Sequence, residues 1–356
     1  EYPTGLSPAA RAEYVLIGDR RDGPGERAAM RVEIAGTGRA LPGAMVPSTA
    51  FDRRLGLPEG RIEALTGVAS RAVCGDESQV DLAAAAARAA LDDAGLASSQ
   101  IGLVIGASAV PYQPIPATAP LVMARLGIPE GLAAAFDVNS TCLSFLTGFE
   151  TAARMLEGRA ALVFSSELAS RALPWDRAPE IAGLFGDGAA AAVLRPAPEG
   201  SSARLAASLM RTYPSAYTAC GIGAGGTRFD FTAEPDTFRA HALFAMDGKE
   251  LFRLASRHFA GFVADLLARA GWDHGDVDLV IPHQASPVAL AHMIRQTGFA
   301  PERVIHVAAR YGNQIAASIP FALDIARREG RLRPGMRVLF LGTSAGVSFG
   351  GLALRV

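Results

Sequence analysis

Cys142 stands where a thiol could become a nucleophile. The segment Phe136 to Glu150 puts Asn139, Ser140 and Thr141, all good helix caps, just before apolar positions 145, 146, 149, 152, 153 and 156, which recur with a helical period. The thiol therefore falls at or near a first helical turn, where backbone N–H groups lack intrahelical acceptors and the helix dipole is positive. Such a place favours a thiolate and can hold an oxyanion formed beside it. A small cysteine behind a cap is as readily a packing residue, and this segment alone leaves both readings open. His283 and Asn313 shift the balance toward chemistry. His283 follows the apolar run Leu279-Val280-Ile281-Pro282 at a strand's carboxyl end, a usual place for site residues in α/β folds. Asn313, in Tyr311-Gly312-Asn313-Gln314-Ile315, lies just ahead of another helix. Cys74 and Cys220 have no such context and read as incidental, as do the other five histidines; the run Cys220 to Gly226 opens no helix and is a weak phosphate cradle.

The elements that must position these residues are short buried strands alternating with helix-length segments, the pattern of an α/β protein. The chain also echoes itself. Leu103-Val104-Ile105 returns as Leu279-Val280-Ile281, 176 residues on, and Ala161-Leu162-Val163-Phe164 returns as Val338-Leu339-Phe340-Leu341, 177 residues on. Two segments at nearly one offset point to a duplicated α/β unit whose strand ends and helix starts meet about a pseudo-twofold axis. Asn313 lies 171 residues beyond Cys142, so the duplication is expected to set the two face to face.

Composition narrows the function classes. With 34 basic and 35 acidic residues in 356, the net charge of -1 offers no field for a nucleic acid backbone. No apolar run approaches the roughly 18 residues of a membrane span. Three cysteines in a long chain without a secretory pattern argue against a disulfide framework and for a reducing cytoplasm. Residues 1–29 carry no apolar period and read as an N-terminal extension or leader, with 30–200 forming the half that bears the nucleophile and 201–356 the half that bears His283 and Asn313.

From Met30 to Val356 the sequence resembles the β-ketoacyl-ACP synthase III group of the thiolase superfamily. The resemblance rests on Asp137-Val138-Asn139-Ser140-Thr141-Cys142, on Pro282-His283-Gln284-Ala285, and on Gly312-Asn313-Gln314-Ile315-Ala316-Ala317-Ser318. It is supported by Gly186-Asp187-Gly188, Met246-Asp247-Gly248 and the tail from Gly342 to Gly351. It implies a five-layered αβαβα fold, a homodimer, no permanently bound cofactor and no metal. Cys142 would take an acyl group from an acyl-CoA thioester, with its own N–H and the loop Ser344, Ala345 and Gly346 forming the oxyanion site. His283 and Asn313 would stabilise the enolate left when a malonyl thioester, carried on ACP or coenzyme A, loses CO2. The same fold could instead pass the acyl group to an alcohol or amine without decarboxylation.

Departures are also visible. Ser286, Pro287 and Val288 stand where carrier-protein users often have an Asn and then a basic residue, and Arg61 and Leu65 stand where a Trp and an Arg often meet the nucleotide. The loop from Pro111 to Ala119, which in relatives reaches the partner's acyl channel, has no carboxylate, unlike the head-to-head condensing relatives. Asp187 reads as a structural turn residue, and the stretch Leu205 to Ala245 as the cover of the acyl channel.

Overall fold

Every residue of the strands Ala160–Glu167 and Leu279–Pro282 is buried, which requires that each sheet be covered on both faces. The computed structural model describes residues 30–356; the leader expected over 1–29 lies outside them. One sheet has the strand order Val32–Ala40, Gly188–Pro196, Ala160–Glu167, Ile101–Gly106, Ala134–Asp137. The other runs Arg204–Thr212, Ser348–Arg355, Arg337–Ser344, Leu279–Pro282. The chain passes from the first to the second between Pro196 and Arg204.

The two sheets repeat one another residue by residue. Leu103 pairs with Ala161 in parallel, as Leu279 pairs with Val338; Ile105 pairs with Val163, as Ile281 pairs with Phe340. The sequence offsets of 176 and 177 are therefore the offsets of a repeated strand register. In the fifth position the second sheet keeps only a single parallel bridge, Val280 to Val304.

Alternation along the strands sorts side chains into layers. Leu103, Ile105 and Val163 of the first sheet meet Ile281, Val338 and Phe340 of the second in one core, which also holds the helices Ser144–Met155 and Ser318–Arg328. Val104, Leu162 and Phe164 face outward onto the helices Gln79–Ala94 and Thr118–Arg125. Leu339 and Leu341 face outward onto Gly248–Ala270. The result is helix, sheet, helix pair, sheet, helix: the five layers expected. Gly148 lies within a central helix, where glycine costs about 1 kcal/mol relative to alanine. A Cβ there would come within 3.0 Å of Ala107 Cβ and Val163 Cγ1, so the missing side chain lets the helix rest on the sheet.

The stretch Leu205 to Ala245 divides in a way composition did not show. Its first part is the edge strand Arg204–Thr212, paired to Ser348–Arg355. Only the later part turns toward the site, through Cys220–Gly221 paired with Ala245–Met246.

Candidate active site

Two strained turns build the site. Among the described residues, Thr141 and Ile315 are the only non-glycines with positive φ, at 53° and 48°. A β-branched residue rarely adopts that conformation, and it persists only where its surroundings enforce it. The enforcement is the same in both. The N–H of Thr141 donates to Asn139 Oδ1 at 2.9 Å, and that of Ile315 to Asn313 Oδ1 at 2.8 Å. One residue earlier, Ser140 N–H donates to Ser144 Oγ and Gln314 N–H to Ser318 Oγ, at 2.9 and 3.0 Å. Each turn then runs through a short 3-10 segment, Thr141–Leu143 or Ile315–Ala317, into a central helix.

This turn corrects the sequence register by three residues. The common offset is 174, so Asn313 is the counterpart of Asn139 and Ala316 that of Cys142. Matching the helix ends at Gly158 and Gly330 hid the slip, because the stretches from Ser144 to Gly158 and from Ser318 to Gly330 differ by two residues. The two asparagines differ at one atom. Asn139 Nδ2 donates to Ala109 O at 2.8 Å, whereas Asn313 Nδ2 meets no protein acceptor among the described residues. With Oδ1 held by the Ile315 N–H, the unspent group of Asn313 is a donor.

The turns pack against each other, and the strand Arg337–Ser344 packs on the cysteine turn. A Cβ at Gly342 would lie 2.8 Å from Leu143 Cδ2 and 3.1 Å from His283 Cβ, so this glycine makes room for the histidine beside the residue that follows Cys142. The N–H of Ala345 and that of Cys142 itself lie near the Cys142 sulfur and favour its thiolate. Cys142 is half-buried. Burial first, then the nearby Cys220 and Glu167, push its pKa up to about 12. The expected lowering by the helix start does not survive: the two N–H donors are outweighed by desolvation and by neighbours that carry negative charge when ionised. Cys220, read as incidental, belongs to the surroundings of the thiol. Cys74 does not; its thiol donates to Glu77 O at 3.0 Å.

His283 is anchored by its N–H donating to Leu341 O at 2.7 Å. Its Nδ1 is buried without a partner, and burial alone lowers the imidazole pKa to about 4. The ring is therefore neutral at pH 7, with one nitrogen a donor and the other an acceptor. Gln284, which composition did not single out, locks the loop beyond it: Nε2 donates to Pro282 O and Ile305 O at 2.9 and 3.0 Å, and Oε1 accepts from Val307 and Ala308 N–H at 2.8 and 3.1 Å.

Comparisons with known proteins place the chain in a family. The profile for 3-oxoacyl-[acyl-carrier-protein] synthase III matches residues 136–214, and that for its C-terminal domain residues 267–356. A β-ketoacyl-[acyl-carrier-protein] synthase III of Streptomyces coelicolor is 38% identical over 326 residues, covering 90% of this chain and 96% of its own. The chain belongs to the 3-oxoacyl-[acyl-carrier-protein] synthase III family. A 3-oxopimeloyl-[acyl-carrier-protein] synthase of Rhodothermus marinus is 37% identical, covering 90% of this chain and 92% of its own. The crystal structure of 3-oxoacyl-(acyl carrier protein) synthase III from Pseudomonas aeruginosa matches with TM-score 0.80 at 33% identity, over 92% of this chain and 98% of that one.

Within this synthase III fold, the remaining residues singled out from sequence are placed as follows. The Ser344 hydroxyl donates to Ala345 O at 3.1 Å, so the backbone N–H of Ala345, and not that hydroxyl, meets the sulfur. Gly346 has φ 118°, a conformation L side chains rarely adopt. Asp187 is a turn residue, its carboxylate accepting from Cys74 N–H, Ser170 N–H and the Ser170 hydroxyl at 2.7, 2.8 and 2.5 Å. Ser286 caps the helix Pro287–Thr297 by accepting the Ala289 N–H at 3.0 Å, leaving Val288 exposed. The glycine-rich run after Cys220 spends its Gly223 and Ala224 N–H groups on His241 O. A cavity of about 250 Å³ is walled by Tyr112, Glu167, Phe185, Ile222, Phe244 and Ile315. Glu167 and Ile315 tie that cavity to the groups flanking Cys142.

Proposed function

We propose that this chain condenses an acyl group with a malonyl extender by decarboxylative Claisen chemistry, as an acyltransferase of the synthase III type in fatty acid biosynthesis. The observation that carries the proposal is the crossing of halves at the sulfur, where Ala345 N–H from one repeat reaches Cys142 in the other. Attack of Cys142 on an acyl-CoA places negative charge on the thioester oxygen, and preorganised N–H groups beside the sulfur are suited to hold it. The thiol gives up its proton in this step, since its resting pKa is about 12, and coenzyme A leaves as the thiol. The malonyl thioester then loses CO2, its carbon–carbon bond pair passing into an enolate. Asn313 Nδ2 and a protonated nitrogen of neutral His283 are the donors for that oxygen. The enolate carbon attacks the acyl carbonyl, the C–S bond breaks, and the Cys142 thiolate takes up a proton from solvent.

The acyl chain would occupy the cavity beside Phe185 and Phe244. Ile115 is 86% exposed on the loop with Tyr112, an apolar tip suited to burial against a second copy, and we assign the chain to a homodimer. Malonyl-ACP or malonyl-CoA would serve as extender without a resident cofactor. Among the described residues no helix is long and apolar enough to cross a membrane, and the proposed site of action is the cytoplasm. Incubation with an acyl-CoA and carboxyl-labelled malonyl thioester tests this: released label with a product two carbons longer is expected. Transfer to an alcohol or amine without CO2, or free acid alone, would overturn it. Asn313→Ala should still become acylated at Cys142 yet lose decarboxylation by about 10²-fold, the cost of one oxyanion donor.

A further inference from the structure

Glu167 closes the strand Ala160–Glu167 with its side chain 1% exposed and, among the described residues, no cation paired to it. Its Oε1 accepts the Ala109 N–H at 2.6 Å, and its strand packs on the segment Ile315–Ala317, with Glu167 and Ile315 walling one cavity. One hydrogen-bonded chain and one packing contact leave from these positions. Through Ala109, whose carbonyl accepts Asn139 Nδ2 at 2.8 Å, the path reaches Asn139 Oδ1, the Thr141 N–H and then Cys142. The packing contact reaches Ile315, whose N–H is held by Asn313 Oδ1.

The duplication gives this junction a meaning beyond fold stability. Ala316 is the counterpart of Cys142 at the offset of 174, and Leu168 is the counterpart of Ala345 at 177. Where one half packs the cysteine turn on the strand that leads into the Ala345 loop, the other packs the asparagine turn on the strand that ends at Glu167, one residue from the matching loop position. We propose that Glu167 is a positioning residue whose carboxyl holds the nucleophile turn and the asparagine turn in register, so that acylation at Cys142 and decarboxylation at Asn313 depend on it together. The two half-reactions rest on the function proposed above; the register of the turns does not. Burial brings the Glu167 carboxyl up to about 8, so glutamine, close in shape to the protonated acid, is the fair conservative replacement.

The experiment compares Glu167→Ala and Glu167→Gln with the native full chain. Backbone hydrogen exchange is read over 139–143 and 313–317, acylation by intact mass after acyl-CoA, and decarboxylation by CO2 from malonyl-CoA. In the alanine variant both turns should exchange faster. Both half-reactions should fall by about 10²-fold, the effect of misplacing a reacting group by about an ångström, with the acyl-CoA KM within about threefold of native. Glutamine keeps one acceptor oxygen and should recover part of both rates in parallel. Native exchange in either turn, or either half-reaction within about twofold of native, would overturn the proposal. If the alanine variant does not fold, the glutamine variant decides by whether both turns and both rates shift together. A native chain that releases no CO2 sinks the condensation while the exchange data still judge Glu167.

Discussion

Lowering the pH from 8 to 5 should cost the folded protein about 2 kcal/mol through His283 alone. The imidazole titrates near 6.5 when exposed and near 4 in the fold, because burial disfavours its cation and Nδ1 has no partner to offset that loss. At pH 8 both states are neutral and the group is silent. At pH 5 the unfolded ring is almost wholly protonated and the folded ring about one-tenth so, and the difference in proton binding drives unfolding. The sign follows from the depressed pKa: the stability is present above 6.5 and is lost as the pH falls toward 4. Urea unfolding of native protein and His283→Asn at both pH values measures it. Any pH-independent cost of the substitution cancels in the difference between pH 8 and 5, as do the shifts of Glu167 and Asp187, which both proteins share. The native chain should lose about 2 kcal/mol more than the variant over that interval. Equal losses would show that the ring is solvated and that burial does not hold it neutral below pH 6.5.

Further outcomes follow from the same contacts. With its pKa raised from 9.0 to about 12, Cys142 should react with iodoacetamide at pH 8 about 10³-fold more slowly than an ordinary thiol, gaining about tenfold per pH unit to beyond pH 10. A plateau near pH 8 would contradict the assigned burial. Cys220→Ala should speed that alkylation only at pH high enough to ionise the Cys220 thiol, whose own pKa burial raises above 9.0, and an unchanged rate there would show that the two sulfurs do not sense each other. Gly342→Ala, whose Cβ would press on Leu143 and His283, should destabilise the fold by about 1–3 kcal/mol and slow acylation; a full-rate enzyme with native melting would refute the packing described at that glycine.

Cys142, His283 and Asn313 were legible as site candidates because each sits at the join of a strand or cap with a helix, and local pattern marks such joins. The duplicated sheets were legible because a buried strand register is written in apolar residues that recur at a fixed interval. The slip of three residues was not, since neither Thr141 nor Ile315 is the glycine that would advertise a left-handed turn. The high thiol pKa was equally hidden. It depends on Cys220 and Glu167, brought near from distant positions, and on burial that no cap motif encodes. Glu167 itself, following Ser165 and Ser166, looks like the polar end of a strand; only the fold shows that it is sealed inside.

The paired asparagines suggest how such a centre can arise. Before any reaction, a turn of this shape already needs a carboxamide, because its oxygen is what steadies the awkward backbone. In one copy the amide donates to the carbonyl of Ala109 in a neighbouring loop; in the other it is surplus. A catalyst assembled this way inherits its donor already aimed and rigid, and innovation requires only that a former partner withdraw.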